Sequence, residues 1–205
     1  MINFVSTSPN NLIKYGGGSP YIGYLGTPRT LHNIPDSMTF ALDNDCFNDY
    51  NPDKIITMLK KYTSIANRCK FATVPDVVEN AVKTTVLFDW WFHVYKRYGY
   101  TCAYVLQDGV TTNMIPYNRI GALFIGGSTE FKLSKYTAGI VKDAVDKGLW
   151  VHMGRVNSAA RASKAQDIGC HSTDGTQYSR YPRTYIKKFL PYYENRQINF
   201  LELVS

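Results

Sequence analysis

Short apolar runs rich in β-branched and aromatic residues alternate along this chain with segments of helical period, and nearly every run stops at a polar or glycine-containing turn. The runs are Tyr21–Gly26, Thr39–Asp43, Phe71–Val74, Thr101–Gln107, Ala122–Ile125, Trp150–Met153 and His171–Thr173. The helical segments are Pro52–Tyr62, Val77–Tyr98, Lys135–Lys147, Ser158–Ile168 and Tyr185–Tyr193. Strand, helix and strand in repetition predict an α/β fold with parallel strands. Asn51-Pro52 is a helix start, and Gly99 and Gly148 stand where helices stop before a strand. Ala81, Thr85, Phe88, Trp91 and Phe92 recur at helical spacing and predict a core-facing side for the segment from Val77. The region up to Ser37 is rich in glycine, proline and tyrosine and carries no clear pattern. With 205 residues and no repeat or linker, the chain predicts one domain over 1–205.

Composition narrows the function classes. Hydrophobic residues make up 44% and charged residues 19%, ordinary values for a globular protein, and no apolar run is long enough to span a bilayer. The N-terminus lacks the basic region and apolar core of a signal peptide, which predicts a cytoplasmic protein. Cys46, Cys69, Cys102 and Cys170 are scattered without CxxC spacing, so a disulfide framework or zinc site is not expected, and His32 and His93 read as structural or solvated. The net charge of +7 favours a polyanionic partner. Towards the C-terminus Lys164, Arg180, Arg183, Lys187, Lys188 and Arg196 interleave with Tyr178, Tyr181, Tyr185, Tyr192 and Tyr193. That pattern reads either as phosphate contacts with base-stacking tyrosines or as a solvated helix with a tyrosine packing face.

The chemistry gathers where the runs end. These ends carry Asp43-Asn-Asp45, Pro75-Asp76, Gln107-Asp108-Gly109, Gly126-Gly127-Ser128, His152 to Asn157, and Asp174-Gly175-Thr176. In an α/β barrel the carboxyl ends of the strands share one mouth, so four or five carboxylates and a glutamine would converge there. Carboxylates so gathered repel one another and shift their pKa values upward, which suits acid–base work. Each has a plainer reading as well: Asp76 as the N-cap of a helix from Val77, Asp108-Gly109 as a turn, Gly126-Gly127 as a tight bend. No phosphate-binding loop or dinucleotide fingerprint is present, so ATP or NAD is not expected.

Taken in order, Ala41-Leu-Asp43-Asn-Asp-Cys-Phe47, Val74-Pro-Asp76-Val-Val78, Val105-Leu-Gln107-Asp-Gly109, Phe124-Ile-Gly-Gly-Ser128, His152-Met-Gly-Arg-Val-Asn-Ser158 and Asp174-Gly-Thr176 resemble the tRNA-guanine transglycosylase superfamily. The closer resemblance is to its short bacterial and phage relatives, the 7-deazaguanine DNA transglycosylase-like proteins. It implies a single minimal (β/α)8 TIM-type barrel, here lacking the C-terminal zinc-binding region of the tRNA enzymes, with no metal and no cofactor. It also implies a pentosyltransferase that replaces guanine in DNA by a 7-deazaguanine such as preQ0, through a covalent aspartyl–glycosyl intermediate. The implied partners are single-stranded or base-flipped DNA and the free deazaguanine, with no membrane, in a bacterial or phage-infected cell.

Carried onto this chain, the resemblance makes Asp174 the nucleophile and Asp43 the proton-transfer residue, with Asp45 a competitor for that role. Asp76 and Gln107 would bind the guanine-like edge, and Gly126 and Gly127 would meet the base through their backbones. His152, Arg155 and Asn157 would bind sugar–phosphate or orient Asp174. Two other functions remain open on the same fold: a nucleoside or nucleic-acid glycosidase with water as acceptor, and a non-catalytic nucleotide-binding protein.

Overall fold

The computed structural model describes residues 1–187 and Leu190. In chain order the elements are β1 (Ile2–Val5), α1 (Pro9–Gly16), β2 (Ile22–Gly26), β3 (Phe40–Leu42), α2 (Pro52–Tyr62), β4 (Cys69–Thr73), α3 (Ala81–Arg97), β5 (Cys102–Leu106), β6 (Ala122–Ile125), α4 (Thr129–Leu133), α5 (Lys135–Asp146), β7 (Trp150–Met153), α6 (Ala159–Asp167), β8 (Ser172–Asp174) and α7 (Thr176–Arg180). Each strand pairs in parallel with the next, and β8 pairs with β1, so the sheet closes on itself as a TIM-type barrel. The alternation is not strict. Among the described residues no α-helix separates β2 from β3 or β5 from β6, whereas two helices separate β6 from β7.

The helices begin where the sequence offers a capping oxygen. Ser8, Asn51, Asn80, Ser128, Ser134 and Ser158 each accept a backbone N–H from the first turn of α1 to α6 respectively. Four elements were not expected from sequence: β1, a four-residue strand, and the helices α1, α4 and α7. The segment expected to be helical from Val77 starts instead at Ala81. Val77 to Asn80 form a turn, closed by the Asn80 N–H to Val77 carbonyl bond (3.0 Å), with Glu79 at φ 56°. Asp76 is therefore not an N-cap.

Two shells of apolar side chains hold the fold. The larger lies between sheet and helices, where α3 contributes Ala81, Phe88, Trp91 and Tyr95. Thr85 and Phe92, expected in that core, are half-buried at its margin. The smaller fills the barrel with Phe4, Leu25, Ala41, Phe71, Ala103 and Ala122, packed with Phe124 and Trp150. Alanines on β3, β5 and β6 make room for phenylalanines on β1, β4 and β6, so the interior is packed rather than hollow. All four cysteines are unpaired thiols, three of them buried. No helix among the described residues is long and apolar enough to cross a membrane.

Candidate active site

Strand register decides which residues can meet. Phe4 lies beside Asp174 on β8, Phe124 beside His152, and His152 beside Ser172. Side chains alternate across a strand, so this places Phe4, Phe124, His152, Ser172 and Asp174 on the inner face. The same alternation brings Leu25, Thr73, Val105 and Gln107 inward. Above the packed layers Phe4, Leu25, Thr73, Val105, Gln107, Phe124 and Asp174 line a cavity of about 530 Å³ at the carboxyl end of the barrel, together with Asp43, Asn44, Asp76, Gly126, Gly127, Lys132, Gly154 and Arg155. A space of that size accommodates a nucleobase and its sugar.

Asp174 is held at both oxygens. Its Oδ2 is 2.9 Å from His152 Nε2, and its Oδ1 accepts the backbone N–H of Arg155 at 2.9 Å. A chain of donors behind His152 fixes the imidazole. Trp150 Nε1, which can only donate, gives its proton to Ser172 Oγ (2.8 Å). Ser172 Oγ also contacts His152 Nδ1 at 2.9 Å. Because the Asp174 carboxylate can only accept, neutral His152 carries its proton on Nε2, and the serine hydroxyl donates to Nδ1. The imidazole is fully buried, with Phe71 and Phe124 ring centroids 5.0 Å and 4.7 Å away. His152 therefore orients Asp174 and is closed to sugar or phosphate.

Arg155 has φ 61°, a left-handed backbone that a non-glycine residue adopts at some cost. That conformation presents its N–H to Asp174, while its exposed side chain lies over Phe47, 4.1 Å from the ring centroid. Asp45 and Glu79 share the left-handed conformation, and all three sit in mouth loops after β3, β4 and β7. Asn157 accepts the Gln177 backbone N–H at 3.3 Å and does not line the cavity, so it ties the loop after β7 to α7.

Asp76 sits between two amides. Asn44 Nδ2 donates to its Oδ1 (2.7 Å) and Gln107 Nε2 to its Oδ2 (2.6 Å). Gln107 Oε1 accepts the Glu79 N–H at 2.8 Å, and Asn44 Oδ1 accepts the Cys46 N–H at 2.8 Å, which fixes the orientation of both amides. Burial raises the Asp76 pKa and the two amide bonds oppose the rise. Asp43 is more strongly perturbed. Burial first, then repulsion from Asp174, Asp76 and Asp45, pushes its carboxyl up to about 8, against one stabilising bond from the Asn44 backbone. Asp43 is thus a protonated acid at neutral pH.

The other carboxylates expected at the mouth are committed elsewhere. Asp45 is paired with Arg29 (2.5 Å) and accepts Asn48 Nδ2 at 2.6 Å, which removes it as a competitor for proton transfer. Asp108 accepts both the N–H (2.8 Å) and the hydroxyl (2.6 Å) of Ser128 and so ties the ends of β5 and β6 together. Gly126 and Gly127 are required where they stand. A Cβ on Gly126 would lie 2.8 Å from Gln107 Nε2, and Gly127 has φ 75°. Sequence reasoning did not single out Asn44, Arg29 or Lys132. Only proximity to the motifs at Asp43 and Gly126 could have suggested the first and last.

Of the basic and aromatic residues towards the C-terminus, Arg180 lines the cavity and Tyr181 is exposed, but Tyr178 is buried and serves packing. Lys188, Tyr192, Tyr193 and Arg196, with most of the helix expected over Tyr185–Tyr193, lie outside the described residues. Among the described residues no group of three or more His, Cys, Asp or Glu side chains is arranged to hold a metal ion.

No protein-family model matches the chain, and no curated protein matches it. Solved structures do share its fold. A native KDPGal structure superposes with TM-score 0.59 at 11% identity, covering 95% of both chains. A cube-shaped, highly porous protein cage designed by fusing symmetric oligomeric domains gives TM-score 0.60 at 12% identity, over 98% of this chain and 75% of that one. The EAL enzyme Bd1971 in its cGMP-bound form gives TM-score 0.45 at 12% identity, and the match spans 40% of that protein's length. At such identities the first two likenesses establish the barrel and say nothing about its chemistry.

Proposed function

We propose that the protein exchanges guanine in DNA for a 7-deazaguanine by way of a covalent glycosyl–Asp174 ester. The observation that carries this reading is the division of labour between carboxyl groups in one cavity: Asp174 held at both oxygens, Asp43 kept protonated, and Asp76 framed by two oriented amides. An Asp174 oxygen attacks C1′ as the C1′–N9 bond breaks, and Asp43 gives its proton to the departing guanine. The Asp43 carboxylate then takes the N9 proton of the incoming deazaguanine, whose N9 attacks C1′ and releases Asp174. Two displacements retain the anomeric configuration, the logic of retaining glycosidases.

Asp76 suits the N1–H and N2–H donors of a guanine-like base, because each carboxylate oxygen keeps an unused lone pair after its amide bond. Arg155 and Arg180 at the rim supply positive charge for a phosphate backbone, and Phe47, 58% exposed beneath Arg155, offers a face for stacking. The target base must leave its stack to reach so recessed a cavity.

Mass spectrometry of the protein denatured after incubation with guanine-containing single-stranded DNA, without added base, tests the reading. The expected result is a protein–DNA adduct in wild type and none in Asp174→Asn. Absence of adduct, with no incorporation of labelled guanine into any nucleic acid, would sink it; free base released without incorporation would make the protein a glycosidase instead.

A further inference from the structure

Among the described residues that line the cavity, Lys132 carries a charge with no counterpart in the catalytic and base-binding roles. It lies on α4, is 7% exposed, and donates through Nζ to the Gly154 carbonyl at 3.0 Å. An ammonium has three donors, and among the described residues no carboxylate lies within ion-pair distance of this one. Arg155 and Arg161 repel it, while Asp174 and Asp108 attract it from further away; burial is the largest effect and brings its pKa down to about 8. A buried, half-satisfied cation is costly unless something else completes its bonding. The open side of Lys132 is the cavity itself.

Barrel order indicates what the missing acceptor is. Asp76 and Gln107 follow β4 and β5, Asp174 ends β8, and Lys132 with Gly154 occupies the arc between them, after β6 and β7. A guanine-like base with its N1–H/N2–H edge on Asp76 and its N9 towards Asp174 turns one flank to that arc and the other to Asp43. The flank carrying O6 and position 7 holds the acceptors that an ammonium complements, whereas N3 on the opposite flank suits the protonated acid of Asp43.

Resting on the base-exchange reading, we propose that Lys132 determines which deazaguanine is accepted: it donates to the O6/C7 flank and selects C7 substituents that accept hydrogen bonds or carry negative charge, and it excludes a cationic aminomethyl group. Selection by charge of this kind works as much by repelling the wrong ligand as by binding the right one.

Calorimetric titration of the whole chain with free bases tests this without turnover. The probes are guanine and 7-deazaguanines bearing hydrogen, cyano, carboxylate or aminomethyl at C7, offered to wild type, Lys132→Met and Lys132→Arg. A charge-assisted hydrogen bond is worth roughly tenfold or more in affinity. Wild type is expected to bind the cyano and carboxylate bases at least about tenfold more tightly than the aminomethyl base. Lys132→Met should bring that ratio close to one while guanine still binds, more weakly by the lost bond to O6, and Lys132→Arg should preserve the ratio. Guanine binding without C7 discrimination in wild type, or discrimination that survives in a guanine-binding Lys132→Met, overturns the proposal and leaves base exchange standing. Failure of wild type to bind any of these bases overturns both. The wild-type series decides even if Lys132→Met does not fold.

Discussion

Asp43 sits in an environment far from that of a free side chain, and the departure has a measurable consequence for the whole protein. Its carboxyl titrates near 3.8 when unfolded and at about 8 in the barrel. Between those values the unfolded chain has lost this proton and the folded one has kept it, so this group makes folding less favourable as pH rises from about 4 to about 8. Asp43→Asn removes the dependence. Denaturant midpoints measured across that range should fall less steeply with pH in the variant, which should exceed wild type in stability at pH 8 while losing base exchange. An unchanged slope would show that Asp43 titrates normally. The residue also shows how far sequence reaches. Its position after an apolar run marked it as a candidate, but its protonation depends first on burial and then on Asp174 and Asp76, distant in sequence and brought close by the barrel.

At the scale of elements, glycines govern how closely strands and side chains approach. Gly23 on β2 faces Phe4 on β1, and a Cβ there would lie 2.5 Å from Phe4 Cε1 and 3.0 Å from the Thr39 carbonyl. Phe4 in turn meets Phe71 edge-on, and Phe71 packs on His152, so a displaced Phe4 disturbs the floor beneath Asp174. Gly23→Ala should cost about 1–3 kcal/mol, as overpacking does. Thermal unfolding checks this, and the yield of DNA adduct should drop with it. The helices were easier to read: Asn51-Pro52 and Ser158 marked the starts of α2 and α6 because a capping oxygen is a local requirement. The start of α3 was misplaced because Asp76 resembles a cap in sequence, whereas Glu79 in a left-handed conformation delays the helix to Asn80 and frees Asp76 for the cavity.

For the whole molecule, closure matters most. β1 supplies the seam by pairing with β2 on one side and β8 on the other, with Phe4 beside Asp174. Deleting residues 1–6 leaves β8 an edge strand and removes Phe4 from the interior. Loss of one such aromatic costs about 3–5 kcal/mol, or about 6 °C or more in Tm for a chain of this size. Calorimetry should therefore show at least that fall and the adduct should be lost; a deletion variant with unchanged Tm would mean that the seam is dispensable.

Sequence by itself determined the alternation of strands and helices, most strand positions and the set of polar residues at the strand ends, because period, caps and turns act over a few neighbouring residues. Only the tertiary structure decided that β1 closes the barrel and that Asp45 and Asp108 are bound to Arg29 and Ser128. It also decided that His152 acts from behind Asp174, and that Lys132 faces the cavity with bonds to spare. Those outcomes depend on register and burial, which arise from contacts between residues far apart in the chain and leave no local mark in it.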